Sequence, residues 1–186
     1  MLYLYCRKMK RIIGSILFLS LFGTFDVSAM GPVNLKDWDA VSIGAKKHVE
    51  SSVSRESIFA EDDISYRLGY EYHESDGAWQ IVLDYCPSVE GSDQIEYLLT
   101  PELNVMFKDK EWRTSGGVGI LKTLVKTQTE SEWTDLYWQL LLSINLPLSR
   151  EITLDLNAFY FFDSWNNLND FDSDDLEYGA SLVYKF

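Results

Sequence analysis

The chain has 186 residues, with 29 acidic side chains against 16 basic ones, a net charge of −13 and aromatic residues at 15% of its length. Such a surplus of acid excludes nucleic acid as a partner, because phosphate binding needs clustered lysine and arginine. Two cysteines exclude a dense disulfide framework, and the length suits one domain.

The first element is a targeting segment. Arg7, Lys8, Lys10 and Arg11 precede the apolar run "IIGSILFLSLFGTF", and "VSA" puts small residues before Met30. Positive charge, then an apolar stretch, then small residues is the order of a secretory signal peptide, so residues 1–29 are expected to be removed and 30–186 to form the mature domain. Met9 offers a second possible start with a conventional leader behind it. No cysteine stands at the cleavage point, which argues against a lipoprotein. Cleavage would take four basic residues and one acid, deepening the net charge to −16, and would leave Cys86 without a partner cysteine.

From there the chain alternates apolar and polar residues with the period of a strand, in segments of about ten residues. Val41, Ile43, Ala45, Lys47 and Val49 oppose Ser42, Gly44, Lys46 and His48; Ile64, Tyr66, Leu68, Tyr70 and Tyr72 oppose Ser65, Arg67, Gly69, Glu71 and His73. The third segment sets Trp79, Ile81, Leu83 and Tyr85 against Gln80, Val82, Asp84 and Cys86. The fourth sets Tyr97, Leu99, Leu103, Val105 and Phe107 against Glu96, Thr100, Glu102 and Asn104. Pro101 lies inside it and removes a ladder donor, so a bulge or local gap is expected there. The fifth, "WRTSGGVGILKTLVK", is the weakest, and Lys122 breaks its parity as a bulge would. The sixth runs over Asp135–Asn145, the seventh over Glu151–Phe162 and the eighth over Leu176–Phe186.

The connections alternate in length. "ESDG", "KDKE" and "PLSR" are short, whereas "ESSVSRESIFAEDD", "PSVEGSD", "TQTESEW" and "DSWNNLNDFDSD" are longer and mostly acidic. Strict alternation with strand number is the pattern of an outer-membrane barrel, with short turns at one end and long loops at the other. Tyr66, Tyr70, Tyr72, Trp79, Tyr85, Tyr97, Phe107, Trp138, Tyr160, Phe162, Tyr178, Tyr184 and Phe186 share the apolar face and gather towards segment ends, as interfacial girdles would. A soluble core of this size would hold fewer tyrosines, because each buried hydroxyl needs a partner. The fold expected is therefore all-β: an eight-stranded antiparallel up-and-down transmembrane β-barrel, whose closure removes the edges that lipid could not satisfy.

With its leader, its eight segments and its closing "LVYKF", the chain resembles the small eight-stranded outer-membrane barrels of the OmpA/OmpX type. That resemblance implies residence in the bacterial outer membrane among lipid and lipopolysaccharide, as a monomer. It also implies that Tyr184 and Phe186 form an assembly signal read by the barrel assembly machinery.

Parity sends Lys46, His48, Arg67, Arg113 and Lys185 into the lumen with Glu71, Asp84, Glu96, Glu102, Glu151, Asp155 and Glu177. An eight-stranded barrel is just narrow enough for side chains to fill, which argues against a general porin. A polar network of Lys46, Arg67, Glu71, Asp84, Glu102, Arg113 and Asp155 is expected, with Lys46, Arg67, Glu71 and Asp84 able to form a salt-bridged plug if they lie at similar depth. The acidic surplus suggests a narrow cation-preferring path as the alternative.

Catalysis is the least favoured reading. His73 with Ser75, or His48 with Ser51, Ser52, Asp163 and Ser164, has the residue types of a lipid A hydrolase but no motif that transfers roles. Asp170, Asp172 and Asp174 have the spacing of a calcium loop, which then fails at Asp175 and Ser181, where glycine and glutamate belong. No cofactor or metal is expected, and Cys86 reads as a packed thiol.

Overall fold

The computed structural model describes residues 37–49, 58–74, 77–92, 94–109, 111 and 113–186. The expected leader (residues 1–29), Met9, Ser51, Ser52 and Ser75 lie outside them. Strands run over Trp38–Lys47 (β1), Ile64–His73 (β2), Gly77–Cys86 (β3), Ile95–Lys108 (β4), Thr114–Leu121 (β5), Leu124–Thr127 (β6), Ser131–Trp133 (β7), Tyr137–Pro147 (β8), Ile152–Phe162 (β9) and Glu177–Lys185 (β10). Two short 3₁₀ turns, Trp165–Asp170 and Ser173–Asp175, interrupt the last loop.

Every pairing is antiparallel, and β1, β2, β3, β4, β5, β8, β9 and β10 follow one another round a ring that closes where β10 meets β1. This is the eight-stranded up-and-down barrel expected from the alternation. Ile43 lies across from both Leu68 and Leu182, and Leu68 from Leu83, so one apolar row runs round this part of the wall.

The remaining two strands lengthen the wall at one place. β6 carries on the line of β5 and pairs with the start of β4, while β7 pairs with β6 before the chain enters β8. The segment "TQTESEW", expected as a loop, is thus largely a hairpin, with Ser131–Trp133 in strand geometry.

Pro101 explains the break between β5 and β6. Glu102 faces Leu121 and Leu99 faces Leu124 in one unbroken register, so no extra residue is inserted at Lys122 and the expected bulge there is absent. The Lys122 amide donates to the Pro101 carbonyl at 3.4 Å, but proline has no N–H to return. The ladder lapses for that reason, on the β5–β6 side only; towards β3, Pro101 keeps its place opposite Leu83. Thr100 and Thr123 join their hydroxyls across the lapse at 2.9 Å.

The barrel is inside out. Ile43, Leu68 and Phe107 are 66%, 62% and 64% exposed on the outer face, whereas Asn104 and Gln139 inside are at 0%. An apolar exterior this extensive has no place on a water-soluble monomer, whose apolar patches stay within a few hundred Å². It is the surface of a transmembrane barrel. Tyr66, Tyr85 and Tyr178 stand towards the loop end, and Trp79, Phe107, Tyr184 and Phe186 towards the turn end.

Tyr160 and Phe162 depart from the girdle expected of them. Both point outward but are only 1% exposed, because the last loop folds back over the wall. Phe171 lies 4.8 Å from the Tyr160 ring centre, and Trp165 lies 5.1 Å from that of Phe162.

Candidate functional site

The most densely organised polar structure is a charged cluster inside the barrel, built from one residue on each of five strands. Lys46 on β1 places Nζ 2.7 Å from Asp84 Oδ2 on β3 and 2.9 Å from Glu102 Oε1 on β4. Arg67 on β2 donates from Nη2 to Glu102 Oε2 at 2.8 Å and approaches Asp84 Oδ2 with Nη1 at 3.3 Å. Gln139 on β8 donates to Glu102 Oε2 at 3.0 Å and to Asn104 Oδ1 at 2.7 Å. Two cations and two carboxylates balance, which is the condition for enclosing charge away from water.

Aromatic rings complete the cluster. The Arg67 guanidinium lies 4.6 Å from the Phe159 ring centre, and Lys46 Nζ lies 5.2 Å and 5.0 Å from those of Phe159 and Phe161. Both rings project inward from β9. Room for the amides comes from Gly119, which stands between Asn104 and Gln139 in the register. A Cβ there would run into Asn104 Oδ1 and come within 2.9 Å of Gln139 Nε2.

Of the residues expected in the network, Lys46, Arg67, Asp84 and Glu102 meet. Glu71 does not join them: it lies nearer the turns, where its Oε2 is 2.7 Å from His73 Nε2. Lys108 donates to His73 Nδ1 at 3.0 Å, and Trp38 stacks on the His73 ring at 3.5 Å. Asp155 is half-buried and lines a cavity of about 20 Å³ with Arg67, Glu71 and Asn157, enough for about one water. Its Oδ1 has no hydrogen-bond partner.

Arg113 is not in the lumen. It is exposed in the turn before β5, with Nε 3.3 Å from Glu111. Its carbonyl still accepts from the Asn145 amide on β8 at 2.8 Å, so the residue stands at the rim of the β5–β8 pairing and its side chain turns out to Glu111. Glu96 and Glu151 are likewise exposed near strand ends. Tyr184 and Phe186 face outward at the turn end, 49% and 66% exposed.

At the loop end, His48 occupies the last inward position of its strand line. Its Nδ1 lies 2.8 Å from Glu177 Oε1 and its Nε2 2.7 Å from Ser65 Oγ. That is the order of a hydrolase triad, but with partners other than the serines and Asp163 considered from sequence. His48 and Ser65 are each 1% exposed, and Ser65 sits within the β1–β2 ladder. A serine enclosed to that degree is not presented to a substrate carbonyl as a triad nucleophile is. The trio is a buried hydrogen-bonded anchor. Above it, Cys86, Val89 and Leu98 pack with Ile58, Phe59 and Ala60 in an apolar cap. Among the described residues, no group of three or more His, Cys, Asp or Glu side chains is placed to hold a metal ion.

Sequence reasoning missed Phe159 and Phe161; parity had sent Ser65, Asn104 and Gln139 inward, but not to the partners they have here. The signal for the rings was present: in "NAFYFF" the inward parity of Asp155 and Asn157 continues to Phe159 and Phe161.

Comparison with solved structures finds Neisserial surface protein A (NspA) at TM-score 0.45 and 12% identity, covering 81% of this chain and 96% of that one. Ail, the attachment invasion locus protein of Yersinia pestis, is found at TM-score 0.40 and 15% identity over 81% and 98% of the two chains. Ail in complex with the heparin analogue sucrose octasulfate gives 0.39 and 18% over 82% and 100%. No family model matches the chain. No curated protein matches it either.

Proposed function

We propose that this chain is a bacterial outer-membrane protein that does not conduct and that acts through the surface its loops present outside the cell. The observation that carries this reading is the charge-balanced plug of Lys46, Arg67, Asp84 and Glu102, with the apolar cap beyond it. A permeant ion would have to displace paired, enclosed charges, which costs several kcal/mol per ion. The apolar belt is matched to acyl chains, and its tyrosines and tryptophans to the headgroups of lipid and lipopolysaccharide.

In this reading the short turns face the periplasm and the acidic loops face outward, in a monomeric barrel with a structural, adhesive or other interaction role and no enzymatic one. Tyr184 and Phe186, at the end of the last strand, are the contacts offered to the barrel assembly machinery. Planar-bilayer recording of the refolded chain tests the main point, and no steady conductance is expected. A steady cation-selective conductance, reduced by Glu102→Gln or Asp155→Asn, would replace this reading with that of a narrow channel.

A further inference from the structure

We propose that His48 is a proton-sensitive latch that holds the segment Ile58–Asp63 over the loop end of the lumen. The imidazole ties this segment to β1, β2 and β10 at once. One face of the ring lies against Phe59, with centres 3.7 Å apart and planes 7° from parallel. The two ring nitrogens are taken by Glu177 on β10 and Ser65 on β2. The backbone of the same residue docks the segment's far end: the His48 amide donates to the Asp63 carbonyl at 2.8 Å, and the Asp62 amide to the His48 carbonyl at 3.2 Å.

Asp63 then fastens the segment to itself and to the next loop. Its carboxylate accepts from the Ala60 amide at 2.7 Å and from the Glu90 amide at 3.0 Å. Phe59 and its neighbours Ile58 and Ala60 close over Cys86, Val89 and Leu98. Lifting Phe59 from His48 would therefore open the cap and uncover the Cys86 thiol, which is now 1% exposed.

The proton enters through the ring's hydrogen bonds. In the closed state Nδ1 donates to the Glu177 carboxylate, which leaves Nε2 to accept the Ser65 hydroxyl proton. Protonation makes Nε2 a donor, so Ser65 must turn its own proton away, and an imidazolium must be held under a phenyl ring and out of water. The charged groups facing the ring are Glu177 from β10, Asp63 from the latched segment itself and Lys46 from β1. The carboxylates favour the imidazolium, Lys46 opposes it, and burial is the largest influence, holding His48 below its ordinary value. The closed cap thus prefers neutral histidine. Its stability is fully present above the ordinary histidine range and falls as acid is added.

Cys86 supplies the readout. In the full chain carrying Cys6→Ser, the alkylation rate of Cys86 in the folded barrel is divided by that of the unfolded chain at the same pH, which removes the thiolate's own pH dependence. Protection should fall about tenfold or more between about pH 8 and pH 5, the window in which histidine titrates. His48→Gln should abolish that pH dependence, while Phe59→Ala should leave Cys86 reactive throughout. His73→Gln, which removes the only other histidine, should retain the wild-type profile. Protection that stays flat in the wild type, or a pH dependence lost in His73→Gln, overturns the proposal even where His48→Gln fails to fold.

Discussion

Arg67 stands directly opposite Asp84 in the β2–β3 register, yet its shorter contact is with Glu102, one strand further round, at 2.8 Å against 3.3 Å. The guanidinium reaches across the lumen rather than along the wall. Glu102 is consequently the hub, since it also takes Lys46 and Gln139. Asp84, by contrast, accepts a well-formed hydrogen bond at neither oxygen and is held only by the ion-pair contacts of Lys46 and Arg67 with its Oδ2.

The first prediction follows from that asymmetry. Glu102→Ala leaves two buried cations sharing one carboxylate and should cost about 3–5 kcal/mol, the usual cost of breaking an enclosed pair. Arg113→Ala breaks only the exposed contact with Glu111 and should cost no more than about 1 kcal/mol. Urea unfolding in lipid vesicles, followed by tryptophan fluorescence, compares the two.

Gly119 gives a second prediction. Gly119→Ala pushes a methyl group against Asn104 and Gln139, and the displaced amides lose their hold on Glu102. The expected loss is about 1–3 kcal/mol, as for an overpacked core. Adding Asn104→Ala to the same chain should return much of it, because the clash is with that side chain. Strict additivity of the two changes in the same unfolding assay would refute the explanation.

Pro101 provides a third. In Pro101→Val the restored N–H can reach the Lys122 carbonyl, so the ladder should run from β5 into β6 without a lapse. Hydrogen exchange should then show a protected amide at position 101 and slower exchange at Lys122. A freely exchanging amide at 101 would mean that something other than the missing donor breaks the strand.

The fourth concerns the loop packed on the outside of the wall. Phe171→Ala removes the ring over Tyr160 and Trp165→Ala the one over Phe162, so the loop over residues 163–176 should detach more readily. Protease treatment of the folded barrel should cleave that loop at least several-fold faster in either variant. Cleavage in "PLSR" should stay unchanged.

The barrel was legible in the sequence because lipid outside and polar filling inside impose the same two-residue period on every wall strand. Depth was not legible in the same way. Which inward side chains meet depends on the stagger accumulated between neighbouring strands, and no single segment encodes it. Hence Lys46, Arg67 and Asp84 meet while Glu71, four residues from Arg67 on the same strand, joins His73 instead. Parity also does not mark the rim, where Arg113 keeps a backbone bond to β8 while its side chain is exposed. It is silent about what covers a face, as at Tyr160, and about the long arginine side chain that brings Glu102 into the cluster from two strands away.

The lapse at Pro101 sets β6 and β7 off from β5 on one side of the wall. They form a turret held by the first residues of β4 and by Val125, which packs into the apolar cap. Sequence can therefore be exchanged at the hairpin tip between Thr127 and Ser131 while the hoop beneath keeps its own bonds, so that part of the molecule is free to diversify and is a natural place to graft a reporter peptide.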